Sequence, residues 1–252
     1  ENYQKVSATL EQLRKYWGGY FSSNVCIDSK SCNVIPNFSG LVPATSQSEV
    51  GLWIKPLSRT NLALANKVYL TFRGLVAHTT NKIAIESELA KVGVGVSVMP
   101  FSNYNLGVSV EQFTGEDGSS LEETVLRTHW SRSNRDGVEG INSGPYNHQL
   151  LDISYAPRSK NFSALAEVAY GHMTPMGKSA VSVPHVFLQG AHFKQDSIQR
   201  DISQVGLGWM IDFGNSKMLP RNMNINSRVG YELHNSLGKK QVKGSFGVGF
   251  SF

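Results

Sequence analysis

Hydrophobic and polar positions alternate with a period of two over most of this chain. Val92, Val94, Val96 and Val98 oppose Gly93, Gly95 and Ser97, and Leu106, Val108 and Val110 oppose Gly107, Ser109 and Glu111. Leu126, Thr128 and Trp130 oppose Arg127, His129 and Ser131, while Leu151, Ile153 and Tyr155 oppose Asp152 and Ser154. Further on, Val205, Leu207, Trp209, Ile211 and Phe213 oppose Gln204, Gly206, Gly208 and Asp212, and Ile225, Val229, Tyr231 and Leu233 oppose Asn226, Arg228, Gly230 and Glu232. The chain closes on Val242, Gly244, Phe246, Val248, Phe250 and Phe252 against Lys243, Ser245, Gly247, Gly249 and Ser251. Such alternation predicts half-buried β-strands. Glycine and serine bury little area, so the second face makes a poor soluble core. An apolar face toward lipid and a small, polar one toward a lumen is the pattern of a membrane barrel. The charges on that second face, of both signs, are costly in a dry core but pair in a wet lumen.

Read along the chain, the pattern predicts twelve strands, near residues 17–27, 47–56, 61–73, 83–99, 105–114, 121–132, 147–156, 161–172, 183–194, 201–213, 223–235 and 241–252. The even number puts both termini at one end. Residues 1–16 carry Tyr3, Val6, Leu10, Leu13 and Tyr16 at helical spacing, a short amphipathic helix that would plug the barrel, lie at its periplasmic mouth or connect to a periplasmic domain. The expected organisation is therefore a helix over 1–16 and one barrel domain over 17–252. Asp28 to Ser46, with Pro36, Gly40 and Pro43, reads as a long loop. A hairpin unit recurs around Pro56, Pro100 and Pro157, each with a turn opened near a proline and closed by an asparagine. Its irregular spacing favours a meander of hairpins over a propeller or solenoid. Trp17, Trp53, Trp130 and Trp209 are candidates for interfacial girdles. One feature is unusual for a barrel: the long connections 133–146, 174–182 and 214–222 fall at the end that holds the termini, where turns are normally short. Either the count is off by one, or these loops meet a periplasmic partner.

Composition removes several alternatives. The chain has 252 residues, 17% charged and 40% hydrophobic, with 24 glycines, which excludes a coiled coil and an acidic disordered chain. No apolar run approaches the roughly 18 residues of a spanning helix, whereas spanning strands need only about 9–11. ENYQKVSATLEQ has no signal-peptide pattern, so an exported protein would already have lost its leader. The formal charge of +5 is scattered rather than clustered, which argues against nucleic acid as a partner. Cys26 and Cys32 either close a small disulfide loop in an oxidising compartment or remain free thiols. No nucleophile elbow, HExxH, P-loop or dinucleotide fingerprint is present, and no metal or other cofactor is expected. His129 and His234, with Ser131 or Glu232, are the residues on which an outer-membrane hydrolase would rest. His185, beside Pro184, reads as a strand entry. The candidate lumen-lining residues are Glu111, Arg127, His129, Asp152, Glu167, Asp212, Arg228 and Glu232, serving either as exchangeable hydrogen-bonding groups for a passing chain or as salt-bridged filler.

Phe246, Val248, Phe250 and Phe252, on a final amphipathic strand, resemble the C-terminal signal read by the assembly machinery of bacterial outer-membrane barrels. Trp53 to Leu62 (WIKPLSRTNL), Glu111 to Phe113 (EQF), Arg127 to Ser131 (RTHWS), Ala166 to Gly171 (AEVAYG) and Val183 to Val186 (VPHV), taken in this order, resemble the C-terminal domain of the bacteriophage adsorption protein A (NfrA) family. The likeness covers about residues 49–252. It implies a Gram-negative outer-membrane barrel, similar to synthase-dependent exporters, that passes an exopolysaccharide outward and serves phage as a receptor. The partners it implies are outer-membrane lipid, a polysaccharide chain, a periplasmic helical-repeat domain and a phage tail protein. The sequence departs from the full-length pattern in lacking the helical repeats upstream, so the expectation is either the barrel part of a longer chain or a stand-alone relative. The expectation is thus an all-β, transmembrane, antiparallel up-and-down barrel of about twelve strands, acting as a non-enzymatic export pore. An autotransporter translocator domain and an outer-membrane hydrolase are the alternatives. Against the translocator, a 16-residue helix spans only about 24 Å, short for threading the lumen.

Overall fold

The structure, a computed structural model, describes residues 16–27, 33–37, 40–56, 67–80, 86–99, 104–115, 123–134, 143–195, 198–213, 223–236 and 240–251. In chain order the strands are β1 (Trp17–Cys26), β2 (Asn33–Asn37), β3 (Gly40–Ile54), β4 (Val68–Thr80), β5 (Glu86–Val98), β6 (Tyr104–Gly115) and β7 (Glu123–Ser133). They continue with β8 (Gly144–Ala156), β9 (Asn161–Met176), β10 (Ala180–Gln195), β11 (Ile198–Phe213), β12 (Met223–Asn235) and β13 (Val242–Ser251). Each wall strand pairs antiparallel with the next in sequence, apart from β1, which takes β13 on one side and β3 on the other and so closes the barrel. With β2 set aside, the wall has twelve strands. Closure leaves no open edge in the twelve-strand wall, as a lipid environment requires.

Register assigns every side chain to a face. Phe21 on β1 pairs with Phe250 on one side and Val50 on the other, and on the same outer face Leu52, Phe72, Val94, Val110, Leu126 and Tyr155 form a row around the wall. These residues leave much of their surface uncovered; Val108 is 58% and Leu207 67% exposed. One residue along from Val110, Glu111 is 1% exposed, and Glu232 is fully buried. Large apolar groups are bare and carboxylates are enclosed, the inverse of a soluble fold and the arrangement of a lipid-facing barrel.

Several expectations shift. The strand expected over 61–73 lies at Val68–Thr80, because the alternation of Leu62 and Leu64 imitates a strand start. The loop expected over Asp28 to Ser46 contains β2 and the beginning of β3, which pair as a hairpin from Asn33↔Ala44 to Asn37↔Gly40. Pro36 is tolerated there because β2 is an edge strand outside the wall, and Pro43 because it lies just beyond Ala44, where the pairing of β3 with β4 stops. This hairpin approaches β9 and β10, half the barrel away, at the end remote from the termini. Inside that end, Ala191, Phe193 and Ile202 form a buried cluster with Leu165. The third hairpin turns at Pro157–Lys160, and its left-handed residue is Lys160 (φ 58°) rather than the expected asparagine. Three strands rather than two separate it from the second, so it points to the opposite end. Pro184 is not at a strand entry; β10 begins at Ala180. The predicted helix, except Tyr16, lies outside the described residues. The strand count of twelve keeps the connections after β7, β9 and β11 at the end that holds the termini.

Candidate functional site

The inner wall is organised by charge. Arg73 on β4 donates through Nε to Glu49 Oε1 at 2.7 Å and through Nη2 to Glu49 Oε2 at 2.6 Å. Its Nη1 reaches Glu111 Oε1 on β6 at 3.1 Å. Arg127 on β7 approaches the same Glu111 oxygen at 3.5 Å, and its Nε donates to both oxygens of Asp152 on β8, at 2.8 and 2.7 Å. At the other end of the belt, Tyr20 Oη on β1 donates to Glu49 at 2.5 Å. His129 Nδ1 lies 3.6 Å from Asp152. A belt of three carboxylates and two guanidiniums thus runs strand to strand from β1 to β8. Each of these ions has an oppositely charged neighbour within the wall, with Glu111 shared by both guanidiniums, as enclosed ions require.

A second arc covers β9 to β12. Arg228 forms a two-pronged contact with Glu167, Nη1 to Oε2 and Nη2 to Oε1, both at 2.8 Å. Gln189 donates to Glu167 at 3.0 Å, and Gln204 donates to Gln189. Glu232 accepts from Asn235 at 2.9 Å and pairs with Lys243 at 2.5 Å. Glu111, Arg127, His129 and Asp152 therefore meet in one belt, Glu167 and Arg228 in the second arc, and Glu232 apart from both. Asp212 faces inward, opposite Val181 and Asn224, away from these clusters.

Between the belt and the end that holds the termini lies a lumen cavity of about 480 Å³, whose lining includes Tyr20, Trp53, Tyr69, Thr71, Ser97, Asn105, Ser109, Arg127 and His129. Trp53 pairs with Gly18 and Thr71, and Tyr69 with Ser97, all on the inner face, so Trp53 is not part of an interfacial girdle. The two rings meet edge to face at 5.4 Å. Tyr20, Glu49, Trp53, Tyr69 and Arg73 were not singled out as lumen groups from sequence. Splitting residues 47–56 and 68–76 by alternation would have found most of them, since Glu49, Gly51 and Trp53 oppose Val50, Leu52 and Ile54.

His234 is a correction. It pairs with Ser203, while Gln204 pairs with Glu232, so Leu233 is an extra residue in β12. The bulge turns His234 to the outer face beside Ser203, and it cannot join His129 in a lumen site. His185 donates through Nδ1 to the Val183 carbonyl at 3.0 Å, which occupies an acceptor beside the proline. Among the described residues no group of three His, Cys, Asp or Glu converges as metal ligands. Cys26 is disulfide-bonded, and the chain's one other cysteine, Cys32, lies outside the described residues. Phe246, Val248 and Phe250 fall on the outer face of β13, with Phe250 5.3 Å from Phe21. Phe252 is outside the described residues.

No protein-family model matches the chain, and no curated protein is significantly similar to it in sequence. Solved structures share its architecture. LpxR from Salmonella typhimurium superposes with a TM-score of 0.53 at 8% identity, covering 92% of this chain and 99% of that one. The KdgM porin gives 0.43 at 9% identity over 93% and 99% of the two chains. The beta domain of the Bordetella autotransporter BrkA gives 0.42 at 14% identity over 94% and 97%. At 8% identity the likeness to LpxR shows a shared fold and says nothing of the activity of this chain.

Proposed function

We propose that this chain is a Gram-negative outer-membrane conduit that exports a hydrated exopolysaccharide and is open to use by phage as a receptor. The observation that carries the reading is the direction of the ion pairs. They link neighbouring stretches of wall, from β1 to β8 and from β9 to β12, rather than tying opposite walls together. The stretches so lined present hydroxyls, amides and paired charges that exchange hydrogen bonds with a sugar chain without holding it, beside an inward-facing apolar cluster of Tyr146, Met173, Val181, Val183 and Phe187. The long connections at the end of the termini would meet a periplasmic helical-repeat partner. Reconstitution in planar bilayers tests the reading, with and without residues 1–16. Conductance in either form, interrupted by added polysaccharide, supports export; no conductance in both forms counts against it.

A second reading, ester hydrolysis at the outer wall, is favoured by one contact. His192 Nδ1 lies 2.6 Å from Asp201 Oδ1 on the outer face, and Ser203 follows on the same face of β11. Lipid-ester hydrolysis by the purified protein, abolished in Ser203→Ala, would support it over the conduit.

A further inference from the structure

The aromatic pair in the lumen cavity has no use in a barrel wall. Interfacial tryptophan and tyrosine anchor a barrel from its lipid side, whereas Trp53 and Tyr69 line the lumen cavity. Between them stands a cation: Lys55 Nζ lies 5.8 Å from the Trp53 ring centroid and 5.1 Å from that of Tyr69. Among the described residues no carboxylate pairs with it. In the lining of the same cavity, Asn105 Oδ1 is buried without a hydrogen-bond partner. A buried amide oxygen left unpaired costs free energy that a ligand donor would recover.

We propose that this cavity is a subsite for an acidic sugar residue, a uronate unit of a polysaccharide, at the end of the lumen that holds the termini. It rests on the conduit reading and names the class of chain that the conduit takes. A pyranose ring offers an apolar, weakly positive C–H face that lies against the electron-rich face of an aromatic ring. Its hydroxyls donate to Asn105 Oδ1 and exchange with Thr71, Ser97 and Ser109. Its carboxylate pairs with Lys55, which the rings already hold in place and which, unlike Arg73 and Arg127, has no carboxylate beside it among the described residues. The volume falls in the range of about 300–1,000 Å³ typical of small-ligand sites, with the usual mix of aromatic surface and a few convergent polar groups.

Calorimetric titration of the intact detergent-solubilised protein with a galacturonate hexamer, and separately with a maltose-series hexamer, tests the assignment. The acidic hexamer is expected to bind and the neutral one to bind at least about fivefold more weakly. Trp53→Ala should weaken the acidic ligand about tenfold or more, as loss of a central aromatic anchor does. Trp53→Phe should recover most of that loss, which separates stacking from misfolding. Lys55→Gln should abolish the preference for acid and the salt dependence that goes with it. Equal binding of both hexamers overturns the acidic class, and binding indifferent to Trp53→Ala, or absent altogether, overturns the site. If the site fails while conductance and export persist, the conduit reading survives. If binding follows these expectations in a barrel that neither conducts nor exports, the conduit reading fails instead.

Discussion

Arg73→Met is the sharpest probe of the charge belt. The substitution keeps the side chain's apolar bulk and removes the cation that Glu49 holds at 2.6 and 2.7 Å and Glu111 at 3.1 Å. Glu49 is left with the Tyr20 hydroxyl, and Glu111, 1% exposed, with an Arg127 contact at 3.5 Å. Removing one partner of a buried pair costs about 3–5 kcal/mol. Arg73 itself keeps 18% of its side-chain surface, so water screens part of the loss and the expected cost is about 3 kcal/mol. With urea slopes of about 1–3 kcal/mol/M, the unfolding midpoint should fall by ~1–3 M. Tryptophan fluorescence during urea titration in lipid vesicles reads it. Arg73→Met combined with Glu49→Gln removes one stranded carboxylate and should recover ~1–2 kcal/mol, within the usual range of coupling between contacting residues. A midpoint lowered by less than ~0.3 M in Arg73→Met would mean that the pairs behave like exposed surface pairs, and the compensated-belt account would be wrong.

Three further outcomes follow from the wall. A Cβ at Gly206 would sit 2.2 Å from the Val229 carbonyl oxygen, whereas one at Gly190 would meet nothing within 4 Å. Gly206→Ala should therefore cost about 1–3 kcal/mol and Gly190→Ala less than about 0.5 in the same titration. Val110→Arg, on the lipid face, should cost ~2–4 kcal/mol if it lies near the bilayer midplane, and should slow folding into vesicles. With Cys26 disulfide-bonded, maleimide labelling in denaturant should find no free thiol before reduction, and Cys26→Ser should leave Cys32 reactive.

The strand order and the two faces were legible because a closed barrel repeats one rule, period-two alternation, with no layer of helices to obscure it. β11 and β12, expected over 201–213 and 223–235, lie at Ile198–Phe213 and Met223–Asn235. What was not legible came from departures from that rule. The extra residue in β12 turns His234 outward, and no composition cue announces a bulge between Glu232 and Asn235. Trp53 was assigned by residue type to a girdle, although Glu49 and Gly51 at the same parity mark its face as inner. The pairing of Glu167 with Arg228 spans two intervening strands, so only closure and tilt of the sheet bring them together. The β2–β3 hairpin was hidden by Pro36 and Pro43, which argue against strands in general but are compatible with an edge.

Two adjacent residues test the central claim most directly. Val108 and Ser109 follow one another on β6, yet the first is assigned to lipid and the second to the lumen. In liposomes holding the reconstituted barrel, with the native disulfide intact, Ser109→Cys should react with a water-soluble methanethiosulfonate. Val108→Cys should resist it and react only with a membrane-soluble maleimide. Equal reaction of both with the water-soluble reagent would mean that water, not lipid, covers the valine rows, and would contradict the barrel's placement in a membrane.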